Sequence, residues 1–218
     1  MSDEVVVVVA GGNPPRPDAV LAVPLGARVI AADRGLEHAR ALGLEVTLAV
    51  GDFDSASPEA VAAAAVAGTE IERHPAEKDA TDLELALDAA LALDPARILV
   101  LAGDDGRLDH LLSMLLLLGF PRYASVQIDA RIGRAHVHVI RGERALEGTP
   151  GELISLLALH GPADVRTQGL AYPLAGETLE PGSSLGVSNT FAIAIARIVV
   201  ERGVLLAVRP GPERGRAK

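Results

Sequence analysis

The chain has 218 residues, a formal net charge of −9 and no cysteine, and 49% of its residues are apolar. The lack of cysteine excludes disulfides, thiolate nucleophiles and cysteine metal ligands. An acidic chain without a long basic run disfavours nucleic-acid binding. The densest apolar run, residues 111–120, is about half of the ~20 residues that a membrane-spanning helix needs. With no basic leader at the N-terminus, these features predict a cytoplasmic protein of one large or two small domains, with neither nucleic acid nor membrane as a partner.

Strand and helix patterns alternate through the first half of the chain. Continuous apolar runs that end at Gly, Pro or Asp predict buried strands, and runs rich in Ala or Leu that end at Gly or Asp-Pro predict helices. This alternation predicts an α/β domain with a doubly wound, mostly parallel sheet. The predicted strands are residues 5–10, 28–32, 46–50, 70–73 and 97–102, and the predicted helices are 36–42, 58–67, 82–93 and 109–118.

After residue 121 the helical period fades, and short alternating segments punctuated by Gly and Pro take over. This pattern predicts an all-β domain, an antiparallel sandwich or barrel, with a tight turn at Arg202-Gly203. The predicted domains are residues 1–122 and 123–210, followed by a disordered tail, 211–218. The predicted strands of the second domain are 125–128, 136–141, 153–159, 164–168, 193–201 and 204–209.

Two aspartates, Asp52 and Asp54, follow the strand 46–50 after a single glycine. Carboxylates at this spacing reach one small volume beyond the strand, and they repel unless a cation lies between them or one is protonated. Mg²⁺ suits such hard-oxygen pairs and completes its shell with water and phosphate oxygens. Asp33 follows the predicted strand 28–32 and therefore falls at the same edge of the sheet. In doubly wound sheets, ligands bind beyond this edge, at the carboxyl ends of the strands. The alternative interpretation is a loop of Asx turns before a helix capped by Ser57.

A second polar segment, residues 78–84, opens a predicted helix. Thr81 and Glu84 fit a capping box there, which is a sufficient structural role for both. The capping box does not explain why Asp79 and Asp82 gather beside another acidic site. The ammonium group of Lys78 can neutralise a phosphate as a point charge.

A third polar segment, residues 103–110, joins a strand to a helix. Its glycines permit close approach of the backbone to a phosphate, and a helix N-terminus favours anions. Arg107 can clamp phosphate oxygens with both arms of its guanidinium, and Asp109 can cap the helix or join a metal shell. A capped turn is again the alternative.

Taken in order, these segments resemble thiamine pyrophosphokinases (thiamine diphosphokinases). The family commonly has glycine where this chain has Arg34 and Asp105, and often asparagine where it has Ser113. The matching pieces are Ala32-Asp33-x-Gly35, Gly51-Asp52-Phe53-Asp54-Ser55, Lys78-Asp79-x-Thr81-Asp82, Gly106-Arg107-x-Asp109-His110, Gly169-Leu170-x-Tyr172-Pro173-Leu174 and Gly186-x-Ser188-Asn189.

The resemblance implies Mg²⁺-dependent transfer of pyrophosphate from ATP to the hydroxyl of thiamine, with release of AMP, by a homodimer whose sites lie between subunits. Pyrophosphate transfer to another hydroxymethyl heterocycle, such as a pterin, and a non-catalytic nucleotide- or thiamine-binding regulator are the alternatives. The residues expected to carry the function are Asp33, Asp52, Asp54 and Asp82 as metal ligands; Asp52, Asp54, Asp82, Arg107 and Asp109 in catalysis; and Lys78, Asp79, Thr81, Gly106, Arg107 and His110 around ATP.

Acceptor recognition is expected in the β-rich half, at Tyr172, Ser188 and Asn189. An asparagine amide offers a donor and an acceptor, as a pyrimidine edge needs, and a serine hydroxyl serves either polarity. The chain has no tryptophan, so Tyr172 or Phe191 is expected to supply any ring contact. Phosphate chemistry is expected in residues 33–110, and acceptor recognition begins 78 residues later, at Ser188. This split and the family resemblance together imply a site between the two halves.

Overall fold

A computed structural model describes residues 4–212 of the chain. Its contacts divide the chain into two units, one formed by the chain up to Met114 with Ile128–Gly133, the other by Leu115–Gln127 with the chain from Arg134 onward. The segment Ile128–Gly133 therefore joins the first unit although it follows the domain boundary predicted at residue 122. Of the predicted tail, residues 213–218 lie outside the described residues.

The first unit is built on a sheet with a central strand, β1 (Val5–Val9). Val6 to Val9 are all fully buried, as a continuous apolar run in a sheet covered on both faces requires. The strands of this sheet lie in the order β6-β5-β1-β2-β3-β4, and the pairs β1–β2, β1–β5, β2–β3 and β3–β4 are parallel. The remaining strands are β2 (Arg28–Ala32), β3 (Leu48–Gly51), β4 (Glu70–Arg73), β5 (Arg97–Ala102) and β6 (Gln127–Ile132).

The strand order reverses at β1, since β2 to β4 lie on one side of it and β5 on the other. In open parallel sheets such a reversal opens a crevice beyond the carboxyl ends of the two strands on either side of it. The loops that follow β1 and β5 therefore lie where a ligand of this unit is expected. The prediction of an α/β domain with a mostly parallel sheet is confirmed in the first half of the chain.

Within residues 4–212, four α-helices follow the strands, and their starts are set by local chemistry. The hydroxyl of Ser57 accepts a hydrogen bond from the amide of Ala60 (3.0 Å) and caps the second helix, and Thr81 does the same for the third. No helix among residues 4–212 is long and apolar enough to cross a membrane. The helices are α1 (Gly35–Ala41), α2 (Pro58–Val66), α3 (Asp82–Leu91) and α4 (Leu108–Leu118), with short 3₁₀ turns at Pro17–Ala22 and Pro121–Tyr123.

The second unit is β-rich and antiparallel, as predicted. Its strands lie in the order β10-β8-β11-β7, with β9 paired to β8. The largest fully buried side chains of its core include Phe191, Ile140, Ile154 and Leu156. The strands are β7 (Ala135–Glu147), β8 (Leu153–Gln168), β9 (Ala175–Leu179), β10 (Asn189–Thr190) and β11 (Ile195–Arg209).

The tight turn predicted at Arg202-Gly203 is wrong, because β11 runs through it as one strand. The pairing of β11 with β8 shifts register on both sides of Arg202, opposite a stretch of β8 in which His160 (φ 57°) and Gly161 (φ 143°) are left-handed. A Cβ at position 203 would lie 2.4 Å from the carbonyl oxygen of Pro162. The glycine therefore marks a β-bulge with close backbone packing, and the segments predicted as separate strands are halves of β8 and β11.

Candidate active site

Three carboxylates meet at the carboxyl ends of neighbouring strands in the first unit. Asp33 directly follows β2, and Asp52 and Asp54 follow β3; one oxygen of each lies within 4.8 Å of the others. The prediction that the ends of parallel strands bring these acids together is thus met by the geometry. Asp33 is buried, Asp52 is half-buried and Asp54 is exposed, so the group is open to solvent on one side.

Unusual backbone conformations form this site. Asp33 (φ 47°) and Phe53 (φ 59°) are both left-handed, which is a rare conformation for a bulky aromatic residue and is typically retained at functional sites. The Phe53 ring packs in the core beside α1 and α2, and the guanidinium of Arg73 lies 5.0 Å from its centroid. Burial of the ring therefore holds the turn that presents the carboxylates on either side of it.

Gly51 explains why this turn approaches Asp33 so closely. Its φ is 153°, and a Cβ there would lie 3.2 Å from both Cα and Cβ of Asp33. The amide of Asp54 then donates a hydrogen bond to Oδ1 of Asp52 (3.2 Å), an Asx turn that the alternative interpretation of this motif anticipates. The Asx turn and the acidic group coexist, because only one oxygen of Asp52 is used in the turn.

The carboxylate of Asp33 has one oxygen without a hydrogen-bond partner, as a ligand of a bound cation would. The hydroxyl of Ser55 donates to its Oδ2, whereas its Oδ1 is buried and makes no hydrogen bond with any described residue. A buried carboxylate oxygen without a partner costs free energy. A hard divalent cation such as Mg²⁺ takes oxygen ligands of this kind, so the donor set Asp33, Asp52 and Asp54 fits Mg²⁺.

Lys78 connects this group to the fourth predicted ligand. Its ammonium lies 3.2 Å from Oδ2 of Asp52 and 3.0 Å from Oδ1 of Asp82, and it also donates to the carbonyl of Pro75 (3.0 Å). Burial acts to lower the pKa of Lys78, but the hydrogen bonds and charges of Asp82 and Asp52 outweigh it and raise the pKa. The lysine is therefore held as a cation between the two acids.

The two carboxylates of the Asp-x-Asp motif have opposite pKa shifts. The amide of Asp54 and then the ammonium of Lys78 lower the pKa of Asp52 against the effect of burial. The negative charge of Asp52, followed by burial and the charges of Asp33 and Asp82, raises the pKa of Asp54. The exposed Asp54 thus feels the excess negative charge of the whole group, which a divalent cation would relieve.

The predicted phosphate loop lies at the crevice between β1 and β5. Gly106 is left-handed (φ 103°), and a Cβ there would lie 3.3 Å from Nδ2 of Asn13, in the loop after β1. Arg107 pairs with Asp109 at 2.6 Å, and both side chains are largely exposed. No described contact joins Arg107, Asp109 or His110 to the acidic group, and Asp79 and Thr81 are exposed beside it. Their roles stay predictions.

The predicted acceptor residues lie together in the second unit. Tyr172 is 71% exposed, whereas Asn189 is 2% exposed and its side chain is hydrogen-bonded to the main chain of Tyr172. Ser188 is exposed and left-handed (φ 57°). Phe191 is buried at 1% exposure, with Arg209 stacked on its ring at 5.4 Å. Of the two rings considered for an acceptor contact, only Tyr172 is accessible.

Sequence reasoning missed three residues that shape the site in the first unit. Ser55 orients Asp33, Asn13 lies against Gly106, and Glu37 accepts a hydrogen bond from the amide of Ser57 (2.9 Å) and pairs with Arg34. Ser55 stood inside the recognised Gly51–Ser55 motif, which was the signal for it. Glu37 had none, because its partner lies 20 residues along the chain.

Acidic side chains at the ends of parallel strands, glycine-rich loops at the same edge and a separate β-rich unit together define a class. They are features of two-domain transferases that use a nucleotide and a divalent cation. Two family models match the chain: "Thiamin pyrophosphokinase, catalytic domain" over residues 26–128, and "Thiamin pyrophosphokinase, vitamin B1 binding domain" over residues 137–205. The chain belongs to the thiamine pyrophosphokinase family.

Individual relatives agree with the family models. The chain is 28% identical over 183 residues to a thiamine pyrophosphokinase of Bacillus subtilis, covering 83% of this chain and 86% of the relative. A crystal structure of thiamine pyrophosphokinase from Bacillus subtilis matches 96% of the chain and 100% of its own with a TM-score of 0.84 and 26% identity. A family member from Enterococcus faecalis matches with the same coverage, a TM-score of 0.80 and 28% identity.

Proposed function

We propose that this chain transfers pyrophosphate from ATP to the hydroxyl of thiamine, giving thiamine diphosphate and AMP, with Mg²⁺ as the metal. Pyrophosphate transfer from ATP is the reaction of the family to which the chain belongs. The observation that carries the proposal is the acidic group of Asp33, Asp52 and Asp54, with its buried, unpartnered oxygen. Because ATP is the donor, a cytoplasmic location follows from the same proposal.

Asp33, Asp52 and Asp54 would hold the metal ion, with Asp82 as the fourth acid. When bound, Mg²⁺ supplies charge neutralisation to the phosphate oxygens of ATP. Lys78 lies between Asp52 and Asp82, where its ammonium can offset negative charge on the transferring group. Pyrophosphate transfer needs little covalent help from the protein, so positioning and charge are the contributions expected of these residues.

Arg107 is the proposed clamp for the transferring group. Its side chain is 70% exposed, and two nitrogens of its guanidinium donate hydrogen bonds to the carboxylate of Asp109. Arg107 ends the loop that leads from β5 into α4, next to the left-handed Gly106, and Asp109 lies in the first turn of α4. An exposed ion pair is weak, so the guanidinium can exchange a carboxylate for phosphate oxygens at little cost.

Recognition of thiamine is proposed for the second unit. The exposed ring of Tyr172 offers an apolar face for a heteroaromatic ring, and the exposed hydroxyl of Ser188 can donate or accept a hydrogen bond. The family model for vitamin B1 binding matches residues 137–205, which include both residues.

We further propose that two copies of the chain associate as a homodimer. One face of α4, continued by Phe120 two residues beyond its end, presents an exposed apolar stripe. Its members Leu108, Leu112, Leu116 and Phe120 are 67%, 52%, 49% and 44% exposed, and the Phe120 ring meets His160 in a T-shaped contact. Side chains four residues apart lie on the same side of a helix. Sedimentation of the wild-type chain should give a dimer, and Leu116→Glu a monomer. Leu25→Glu, at a fully exposed leucine, is the matched control and should stay dimeric.

The activity is tested by incubating the protein with ATP, Mg²⁺ and thiamine and separating the products. Formation of AMP and thiamine diphosphate in equal amounts is expected, with no product when the metal is chelated. A parallel reaction with a hydroxymethyl pterin tests the nearest alternative acceptor. Release of ADP, or tight binding of both ligands without turnover, would contradict the proposal.

A further inference from the structure

We propose that Asn189 is a positioning residue, which holds the main chain of Tyr172 in place and does not contact the acceptor. The inference rests on the proposed function for the identity of the ligand, but its central claim concerns the protein alone. Ser188 and Asn189 therefore have separate roles, since only the serine is exposed.

The hydrogen bonds of the Asn189 amide are directed at main chain. Its Oδ1 accepts from the amide of Tyr172 (3.0 Å) and from the amide of Thr190 (2.8 Å), and its Nδ2 donates to the carbonyl of Tyr172 (2.7 Å). An asparagine side chain has two donor hydrogens and two acceptor lone pairs, so three of these four positions are occupied. With the residue 2% exposed, the remaining N–H is closed to a ligand in solution.

Tyr172 depends on this amide more than its neighbours do. On its N-terminal side Ala171 donates to the carbonyl of Thr190 (2.9 Å), and on its C-terminal side Leu174 exchanges hydrogen bonds with Thr167. Tyr172 itself uses both its N–H and its C=O on Asn189. The side chain of Asn189 thus replaces the strand partner that this residue lacks, as expected of amide side chains that bind main chain in loops.

The consequence concerns the exposed ring. Tyr172 is 71% exposed, so packing of its own side chain does little to fix its direction. Two hydrogen bonds from a buried amide to the main chain at the same residue fix the Cα–Cβ bond instead, and a preorganised ring loses less conformational entropy when a ligand stacks on it. The structure therefore assigns to Asn189 an effect on acceptor affinity that acts through Tyr172.

Hydrogen exchange tests the inference without any ligand. In Asn189→Ala the amide of Tyr172 loses its acceptor, so its exchange should accelerate by tenfold or more, while core amides such as that of Leu156 keep their wild-type rates. Thr190→Ser is the matched control, because it keeps the Asn189 contacts. An unchanged exchange rate at Tyr172 in Asn189→Ala would overturn the proposal, whatever the protein binds.

Binding of two ligands then separates bracing from direct contact. Thiamine and 3-benzyl-5-(2-hydroxyethyl)-4-methylthiazolium share the thiazolium, but the second lacks the polar edge of the pyrimidine. If Asn189 braces Tyr172, Asn189→Ala should weaken both ligands by the same factor, roughly tenfold, and should add nothing in a Tyr172→Ala background. A loss confined to thiamine would show that the amide reads the pyrimidine edge, and would overturn the proposal.

Asn189→Asp provides a rescue experiment. A protonated carboxyl group can accept from the two amides and donate to the carbonyl of Tyr172, whereas an ionised one repels that carbonyl. Thiamine affinity of Asn189→Asp should therefore approach that of the wild type as the pH falls, while Asn189→Ala stays weak at every pH. Parallel pH profiles for the two variants would contradict bracing. Absence of thiamine binding by the wild-type chain would instead refute the proposed function and leave the exchange test standing.

Discussion

At the scale of single residues, the three carboxylates of the acidic group repel one another, but the local structure holds them close together. Asp33, Asp52 and Asp54 are held together by the left-handed turn at Phe53, by close packing of Gly51 and by the hydroxyl of Ser55. Lys78 neutralises only Asp52 and Asp82. The raised pKa of Asp54 reports the charge that remains, and this residual charge is what a bound divalent cation would relieve.

Replacing either carboxylate of the Asp-x-Asp motif should abolish turnover while the protein stays folded. Asparagine keeps the size of the side chain but removes the charge that holds a divalent cation, and it also relieves repulsion in the group. We expect kcat of Asp52→Asn and Asp54→Asn to fall by at least a hundredfold, measured as AMP release at saturating ATP, with unchanged circular dichroism. Asp18→Asn, in an exposed pair with Arg16, is the matched control. Turnover of Asp52→Asn at the wild-type rate would refute the proposal that Asp52 binds the metal.

Ser55 should matter for the metal more than for the nucleotide. Its hydroxyl binds Oδ2 of Asp33 and leaves Oδ1 free. Loss of such a partner behind a metal ligand typically lowers metal affinity by about 10- to 100-fold. We expect Ser55→Ala to raise the Mg²⁺ concentration for half-maximal activity by that factor, with kcat at saturating Mg²⁺ largely retained. Ser55→Thr keeps the hydroxyl and should restore the affinity; an unaltered Mg²⁺ dependence in Ser55→Ala would leave the serine without this role.

Arg107 should contribute to the transition state and little to stability. Its ion pair with Asp109 is exposed, so its loss should change the free energy of unfolding by well under ~1 kcal/mol. A clamp on the transferring group contributes about 2–4 kcal/mol, a loss of roughly 30- to 1000-fold in kcat/KM for Arg107→Ala. Arg107→Lys should recover only part of it, because lysine lacks the fork. A change in kcat/KM smaller than about threefold would make Arg107 an ordinary residue of the helix entrance.

At the scale of elements, a partly buried ion pair joins the last residue of β11 to the residue that precedes β8. Arg209 binds Glu152 through Nε (2.8 Å) and lies over the ring of Phe191. The side chains of Arg209 and Glu152 are 15% and 28% exposed. Burial raises the pKa of Glu152, but the amide of Thr149 and then Arg209 outweigh it, so that the pKa lies below its ordinary value of 4.5.

This lowered pKa predicts a pH-dependent stability. A carboxyl group with a lower pKa in the folded state contributes fully above its unfolded pKa, near 4.5, and loses that contribution as the pH falls through the folded value. The unfolding free energy of Glu152→Gln should be lower than that of the wild type by about 1–2 kcal/mol at pH 7, and the gap should close as the pH falls below 4.5 and through the lowered folded pKa. Denaturant titrations across this range measure it. Glu143→Gln, in an exposed pair with Arg197, should show almost no gap; a pH-independent gap at Glu152 would argue for packing alone.

The elements also mark how far the sequence could predict the fold. The helices of the first half and their serine and threonine caps followed from local chemistry, and so did the meeting of the acids, because parallel strands end at one edge. The bulge at Arg202-Gly203 did not, since a glycine in a tight turn and a glycine packed against a facing carbonyl have the same sequence. The difference lies in Pro162, 41 residues away in sequence.

The same limit applies to the candidate site. Asp33, Asp52 and Asp54 were found because their residue type and spacing carry the chemistry. The motif pointed to Asn189, but the sequence could not show that the side-chain amide of Asn189 is hydrogen-bonded to the main chain of Tyr172. The two residues are 17 positions apart. Side chains that serve the backbone look the same in sequence as side chains that serve a ligand, and only the hydrogen-bond partners separate them.

At the scale of the whole molecule, the two units carry different chemistry. The described part of the first unit holds the acidic group, the glycine-rich loops and Lys78, which suit a metal ion and phosphates. The second offers an exposed ring, a hydroxyl and a buried amide, which suit an uncharged heteroaromatic edge. Because the two ligands are proposed to bind different surfaces, we expect that one substitution can abolish the affinity for ATP and another the affinity for thiamine.

Ligand-induced stabilisation of the whole chain tests this separation. A ligand that binds only the folded state stabilises it by about 2.7 kcal/mol at one hundred times its Kd. Mg²⁺ with a non-hydrolysable ATP analogue and thiamine should therefore each raise the unfolding temperature of the wild type. Asp54→Asn should lose the shift caused by the metal–nucleotide complex and keep the shift caused by thiamine, because only the cation site is changed. Tyr172→Ala should show the opposite pattern, since its ring is proposed to face thiamine alone. Each variant is the control for the other, and loss of both shifts in both folded variants would mean that the two ligands share the same determinants.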